Sequence, residues 1–320
     1  MLAMPAGEYV THVTPADGTG RALAREVVDV IREQDSIIRV IGTDGCPVNT
    51  GIHTGAVQLI EIETGNVVQH VVCGLHLNEL VFWHILSETD GVTKAKDKLS
   101  GPVGSTLHLK VWEQPVIAFQ PISGKVPLLP PEVVKDLSHD QAIGYRYCHA
   151  IGSGVIPDSL VTQTIGPLVT SRWNTTANRI LCLYTRSLRP SKKLQRLTRV
   201  VLLLYYPGWF KFKAAPHIQD GSLNFFYVLE LTRDLPEEDR MIAQRVLQDN
   251  SFWAHTENLL ISMMKDEDKE IRRRAVLWIL RARKGFCQED HPRQFVPPKL
   301  NFQVALPPSI FKKNLLVLSS

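Results

Sequence analysis

Cysteine is scarce and irregularly placed: five in 320 residues, at Cys46, Cys73, Cys148, Cys182 and Cys287, with no pair of Cys-x-x-Cys motifs. An odd count without a spacing pattern excludes a disulfide framework and points to a reducing compartment. No amino-terminal stretch reads as a secretory signal. Nucleus or cytoplasm is therefore the expected location, and secretion is not. Long apolar runs are also missing. The longest strong one, Val200–Tyr206, is far too short to span a bilayer, so no membrane contact is expected. There is no internal repeat and no low-complexity tract, which excludes a solenoid. With 44% apolar and 21% charged residues, the chain has enough core-forming material for one large domain, or a core carrying a big insertion.

The most informative lack is acid. Between Ser159 and Gln219 there is no Asp or Glu, while Arg172, Arg179, Arg186, Arg189, Lys192, Lys193, Arg196, Arg199, Lys211 and Lys213 supply ten cations. Against a whole-chain net charge of +4, the remainder carries −6. A concentrated basic segment suits a polyanion, nucleic acid first. The plainer reading is a solvated helical face whose partner acids lie elsewhere in the fold.

What is present falls into two textures. Glu8–Thr14 reads as a strand leading into a turn. A helix from Gly20 to Gln34 places Leu23, Val27, Val28 and Ile31 on one face. Ile37–Ile41 and Val67–Val72 read as buried strands. Helices over Ile52–Glu63 and His76–Leu86 complete a strand–helix alternation that favours parallel strands with crossover helices. Beyond Ser87 the chain turns Gly- and Lys-rich. Pro115, Pro121, Pro127, Pro130 and Pro131 then mark an extended linker. Helices are expected at 138–152, 172–188, 191–206, 220–233, 236–249, 254–265 and 268–284, and a strand near Leu315–Leu318. The expected division is a core over 1–88, a linker over 89–135, a basic helical insertion over 136–250, returning core helices over 251–290 and a Pro-rich tail over 291–320.

Four constellations could carry chemistry. Asp44, in Gly42–Gly51, sits at the C-terminal end of a strand, where ligands collect in open α/β sheets and where a carboxylate could hold Mg2+. The alternative is a turn-stabilising Asp. Cys73-Gly74-Leu75-His76-Leu77-Asn78-Glu79 contains half of a zinc-type ligand pattern, and Cys148-His149 is the nearest, weak, second half. Arg172-Trp173 with Arg179 interleaves cations and an aromatic ring, as single-stranded nucleic acid requires. Its plain alternative is a helix start with Trp173 in the core. Glu257 opens an apolar helix, either as a ligand or general base or simply as an acid well placed in a first turn.

Taken in order, these motifs resemble the hAT-type transposases. In that family a strand ends in an Asp-Asn/Gly-x-x-x-Asn signature, here Asp44 to Asn49. A Cys/Asp-x-x-His motif follows with a Leu-Asn pair, here Cys73, His76 and Asn78. An Arg-Trp-Asn motif comes later, here Arg172-Trp173-Asn174-Thr175. More closely, the chain looks like a group of uncharacterised invertebrate proteins related to such elements, through His12–Pro15, Asp44–Gly51, Val72–Glu79, Ser100–Gly104, Ser171–Ile180 and Ala254–Leu260. The resemblance implies an α/β fold: an incomplete ribonuclease-H-like core with a large, mainly helical insertion. It implies Asp44 as the second of three catalytic acids, Glu257 as candidate third, His76 beside them, and Mg2+ or Mn2+ as cofactor if the site is active. It also implies DNA contact through Arg172, Trp173, Arg179, Arg186, Arg189, Lys192, Lys193 and Arg196, and it allows a homo-oligomer.

One departure stands out. The family's first acid lies on the first strand of the sheet, two strands before the first helix, and here no Asp precedes Asp17, which sits in a turn. The first acid and its hairpin are expected to be missing. Catalysis is then expected to be reduced or lost, and a sheet edge left to be covered by Leu315–Leu318 or a partner. A transposase-derived DNA-binding protein, an active metal-dependent nuclease and a protein-interaction scaffold are the three functional expectations. Cations paired inside the fold would favour the last.

Overall fold

The structure is a computed structural model that describes residues 2–3, 8–92, 99–168, 173–286 and 298–300. The chain forms two compact units. The first joins Met1–Cys73 to Phe252–Pro298, and the second holds Gly74–Ser251 and Lys299–Ser320. The expected strand at Leu315–Leu318 lies outside the described residues.

The first unit begins with a short antiparallel pair, β1 (Leu2–Ala3) and β2 (Glu8–Tyr9). The alternation read over Glu8–Thr14 yields only those two strand residues. Helix α1 (Gly20–Glu33) is capped by Thr19, whose hydroxyl accepts the Ala22 N–H at 3.2 Å, satisfying one of the orphan donors of a helix start. β3 (Val40–Thr43) leads through a turn to the short α2 (Pro47–Thr50) and to α3 (Ala56–Thr64). Gly65 ends α3 in the left-handed conformation, with φ 64°, a backbone state that favours glycine. β4 (Gln69–Val72) pairs with β3 in parallel, with Val40 opposite Gln69 and Thr43 opposite Val72. Ala24, Val28, Ile31 and Ile60 form the core between α1 and α3, with Ile38 and Ile41 packed on it. Each strand begins two to three residues later than its apolar run, and β3 is not the buried strand expected, with Ile37 before it and Val40 in it 67% and 50% exposed. Among the described residues β3 has β4 as its single strand neighbour.

The second unit starts with α4 (Gly74–Asp90). The unit boundary thus falls between Cys73 and Gly74, not at residue 88, because α4 buries Leu77, Val81, Phe82, Ile85 and Leu86 within the helical body. The stretch expected to be a linker is instead packed. It forms α5 (Pro102–Leu107), a 3₁₀ turn at Val111–Glu113 and α6 (Pro131–Lys135), and it buries Val103, Leu107, Val111 and Leu129. Then come α7 (His139–Ser153), α8 (Asp158–Val161), α9 (Asn174–Tyr184) and α10 (Lys192–Val200). α10 passes through a π-helical turn, Val201–Tyr205, directly into α11 (Tyr206–Ala214). Pro207 does not end the helix there: it follows directly on the π turn, in the first turn of α11. α12 (Gly221–Thr232) and α13 (Glu237–Asp249) complete the body.

The chain then rejoins the first unit with α14 (Thr256–Met263) and α15 (Lys269–Phe286), which pack on each other. Asn258 of α14 accepts the Gln69 side-chain amide of β4 at 2.7 Å and donates to the Phe252 carbonyl at 2.9 Å. The described residues are mostly helical, with one two-stranded parallel sheet and the short antiparallel pair among them.

Candidate functional site

Asp44 leaves the C-terminal end of β3 as expected, and it is exposed. Its Oδ1 accepts the Cys46 N–H at 3.0 Å and the Asn49 side-chain amide at 2.8 Å. The same Asn49 amide approaches Cys46 Sγ at 3.3 Å. This is an Asx turn closed by an asparagine, a local device for reversing the chain. Three glycines tighten it. A Cβ on Gly55 would meet Gly51 N and O at 2.5 Å, one on Gly51 would meet Pro47 O at 2.8 Å, and one on Gly20 would meet Thr54 O at 2.2 Å. The Asp–Gly–x–x–x–Asn signature therefore works first as architecture: it seats the loop backbone against the start of α1.

Glu257 stands in the first turn of α14 and is 4% exposed. His255 caps that helix, its Nδ1 accepting the Glu257 N–H at 3.3 Å. The neighbouring Asn258 is tied to Gln69 at the N-terminal end of β4, whereas Asp44 follows the C-terminal end of β3. In a parallel pair of this length those ends are about 10 Å apart. Among the described residues no group of three or more His, Cys, Asp or Glu side chains is arranged to hold a metal ion. Cys73 is a half-buried free thiol whose N–H donates to Thr43 O at 2.7 Å. The weak zinc partner, Cys148-His149, sits on α7 with Cys148 buried. Burial pushes the Cys148 thiol well up and the His149 imidazole down, the first of which opposes the thiolate that zinc needs.

The Cys-Gly-Leu-His-Leu-Asn motif has a packing role. A Cβ on Gly74 would come within 2.3 Å of the Phe212 ring of α11. Asn78, 1% exposed, donates to the Tyr205 carbonyl at 2.9 Å, and a Cβ on Gly208 would meet its Oδ1 at 2.7 Å. That carbonyl belongs to the last residue of the π-helical turn. His76 is half-buried on α4. The Ser100–Gly104 stretch is equally structural. Buried Asp90 accepts the N–H groups of Val103 and Gly104 at 3.0 and 2.6 Å, an anion placed on a helix start.

The expected nucleic-acid residues divide. Arg172 lies outside the described residues. Trp173 is 8% exposed and meets Phe82 edge-on at 6.2 Å, so its ring is core and offers no stacking face. Asn174 and Asn178 take the Tyr205 and Tyr206 hydroxyls at 2.7 and 2.5 Å. Arg179 donates to the carbonyls of Gly166 and Leu107 and lies 4.8 Å over the Trp112 ring. Arg186 donates to the carbonyls of Gln114 and Val161 and to the Tyr147 hydroxyl. Arg196 pairs with Asp239 at 2.6 Å and Glu238 at 3.0 Å. Lys213 pairs with Asp136 at 2.5 Å, and Lys211 faces the Tyr227 ring at 5.6 Å. Trp173, Arg179, Arg186 and Arg196, expected at a nucleic-acid surface, each have partners inside the fold. Arg189, Lys192, Lys193 and Arg199 remain exposed. Nothing in composition marks the difference, because the carbonyls that hold Arg179 and Arg186 come from segments up to 72 residues away.

Compared with protein-family models, with curated proteins and with solved structures, the chain has no match. Among the described residues no helix is long and apolar enough to cross a membrane.

Proposed function

We propose that this chain is a transposase-derived protein of ribonuclease-H ancestry that acts by binding other proteins, its catalysis reduced or lost. The observation that carries the reading is the internal engagement of Arg179, Arg186 and Arg196. Cations satisfied in this way stiffen a scaffold and are not offered to phosphates. The ancestry is supported by the parallel β3–β4 pair, by Asp44 after the first of them, and by α14 rejoining the same unit after the helical body. Loss of chemistry is supported by the capping geometry of Asp44.

The test measures duplex and single-stranded DNA binding at low salt together with Mg2+- and Mn2+-dependent nicking. Neither is expected. Nicking that disappears in Asp44→Asn would overturn the loss of catalysis. A second reading, DNA binding, draws on the exposed Arg189, Lys192, Lys193 and Arg199. Affinity that falls steeply with salt and is lost when the first three become Ala would establish it.

A further inference from the structure

Residues 115–130 run up to α6 with neither helix nor strand. The end of that stretch and the first residue of α6 read Val126-Pro127-Leu128-Leu129-Pro130-Pro131. The prolines narrow its conformation severely. Each fixes its own φ at about −65°, and each pushes the residue before it to an extended ψ. Pro130, at φ −55° and ψ 145°, has the polyproline II geometry that these constraints favour.

Polyproline II has three residues per turn, so the segment presents three edges. Val126 and Leu129 form the first, Pro127 and Pro130 the second, Leu128 and Pro131 the third. Burial follows the same three-fold order. Leu129 is 8% exposed, and its N–H donates to the Tyr145 hydroxyl of α7 at 3.1 Å. Lys125, just before the segment, donates its N–H to the Leu202 carbonyl at 3.0 Å. Leu128 is 86% exposed, Pro130 and Pro131 are exposed, and Pro127 is half-buried. One edge is anchored to the helical body, and the other two are turned outward.

The outward edges have a one-sided hydrogen-bonding capacity. Proline brings no N–H. Among the described residues the carbonyls of Val126, Pro127, Leu128 and Leu129 accept no hydrogen bond, whereas the Pro130 carbonyl is taken by the N–H groups of Val133 and Val134. A complementary surface must be flat and apolar against the prolines and Leu128, and it must bring donors. Trp and Tyr rings, with an N–H or O–H at the rim, meet both demands. A pairing strand does not, because it needs the alternate N–H groups that prolines withhold. Nor does a phosphate surface: Lys125 is already paired with Asp234, and Glu132 follows the segment.

We infer that Val126–Pro131 is a preformed polyproline II ligand for a protein module whose groove is lined by aromatic rings, as the grooves of SH3 and WW domains are. The inference names one partner chemistry for the protein-binding reading above and rests on that reading. A segment already held in its bound shape loses little conformational freedom on binding. The contact is small, so the complex should be weak and reversible.

The experiment is biolayer interferometry on the immobilised full chain, probed with a panel of purified SH3 and WW domains and with a proline decamer as competitor. At least one domain should bind, and the decamer should displace it. Leu128→Glu should weaken that binding at least about tenfold, with the melting temperature unchanged because the side chain is exposed. Pro127→Ala combined with Pro130→Ala should abolish it, and if that variant fails to fold Leu128→Glu decides alone. Val155→Glu, at an apolar residue 68% exposed outside the segment, should leave binding as it was. A panel without a binder overturns the inference and, with DNA binding and nicking also absent, leaves the protein-binding reading standing. A complex that survives the decamer or ignores Leu128→Glu also overturns it, since the contact then lies elsewhere on the chain.

Discussion

Asn78 donates its side-chain amide to the backbone carbonyl of Tyr205 at 2.9 Å, joining α4 to the π-helical turn that links α10 and α11. Both residues are almost fully buried, so the bond replaces one that water cannot supply. Asn78→Ala should destabilise the protein by about 1–3 kcal/mol, the cost of removing a buried side-chain hydrogen bond. Urea unfolding would measure it. An unchanged midpoint would show that Tyr205 finds another donor.

Gly74 bears on the same joint. Gly74→Ala places a methyl carbon 2.3 Å from the Phe212 ring, and overpacking of this kind costs about 1–3 kcal/mol. Phe212→Leu alone should also destabilise. Combined, the two changes should cost less than their sum, because the smaller side chain vacates the space the alanine takes. Strict additivity would separate Gly74 from Phe212.

Asp44 gives a clean contrast between architecture and chemistry. Asp44→Asn keeps an oxygen to accept from Cys46 N and Asn49, so stability should change by less than about 1 kcal/mol, whereas Asp44→Ala should cost about 1 kcal/mol or more. Millimolar Mg2+ should leave the melting temperature unaltered. A rise in melting temperature with Mg2+ that Asp44→Asn abolishes would make Asp44 a ligand.

Histidine 149 sets a pH dependence. Burial lowers the His149 imidazole from its ordinary value of 6.5, and its Nε2 is buried without a hydrogen-bond partner. The folded state therefore favours the neutral ring. The stability this provides is present above pH 6.5 and is lost as pH falls from there through the lower folded value. His149→Phe keeps the ring against Tyr145, whose centroid is 4.5 Å away, and removes the titration. The difference in unfolding free energy between variant and wild type should grow in favour of the variant below pH 6.5. A difference that stays flat from pH 7.5 to 5 would contradict it.

Arg179 separates the structural from the nucleic-acid reading of the basic stretch. Arg179→Lys keeps the charge but cannot hold Gly166 O and Leu107 O together, nor stack on Trp112 in the same way. A loss of about 2 kcal/mol in stability is expected from the unmet carbonyls. Any weak DNA affinity should be unaffected, whereas alanine at Arg189, Lys192 and Lys193 should do the reverse.

Much of the fold was legible because its signals are local. The helical spacing of Val28 and Ile31, two of the four residues read onto one face of α1, acts within a few residues. The functional motifs were legible as positions and not as roles. Trp173 and Arg179 read as phosphate and base contacts because their partners, Phe82 and Leu107, are distant in sequence. The helix expected over 191–206 instead continues to Ala214, because a sequence does not announce the π turn over Val201–Tyr205. The linker over 89–135 read as extended because its prolines are visible and the burial of Leu107 and Val111 is not.

The bond between Gln69 and Asn258 spans 189 residues of chain. During synthesis at about 5–20 residues per second, β4 leaves the ribosome roughly 10–40 s before the helix that completes its unit. The inserted helical body, whose contacts close within itself, has that interval in which to fold first. The strand pair must wait as an unfinished half-layer, and it is in that interval that a chaperone, or a competing strand, would find it.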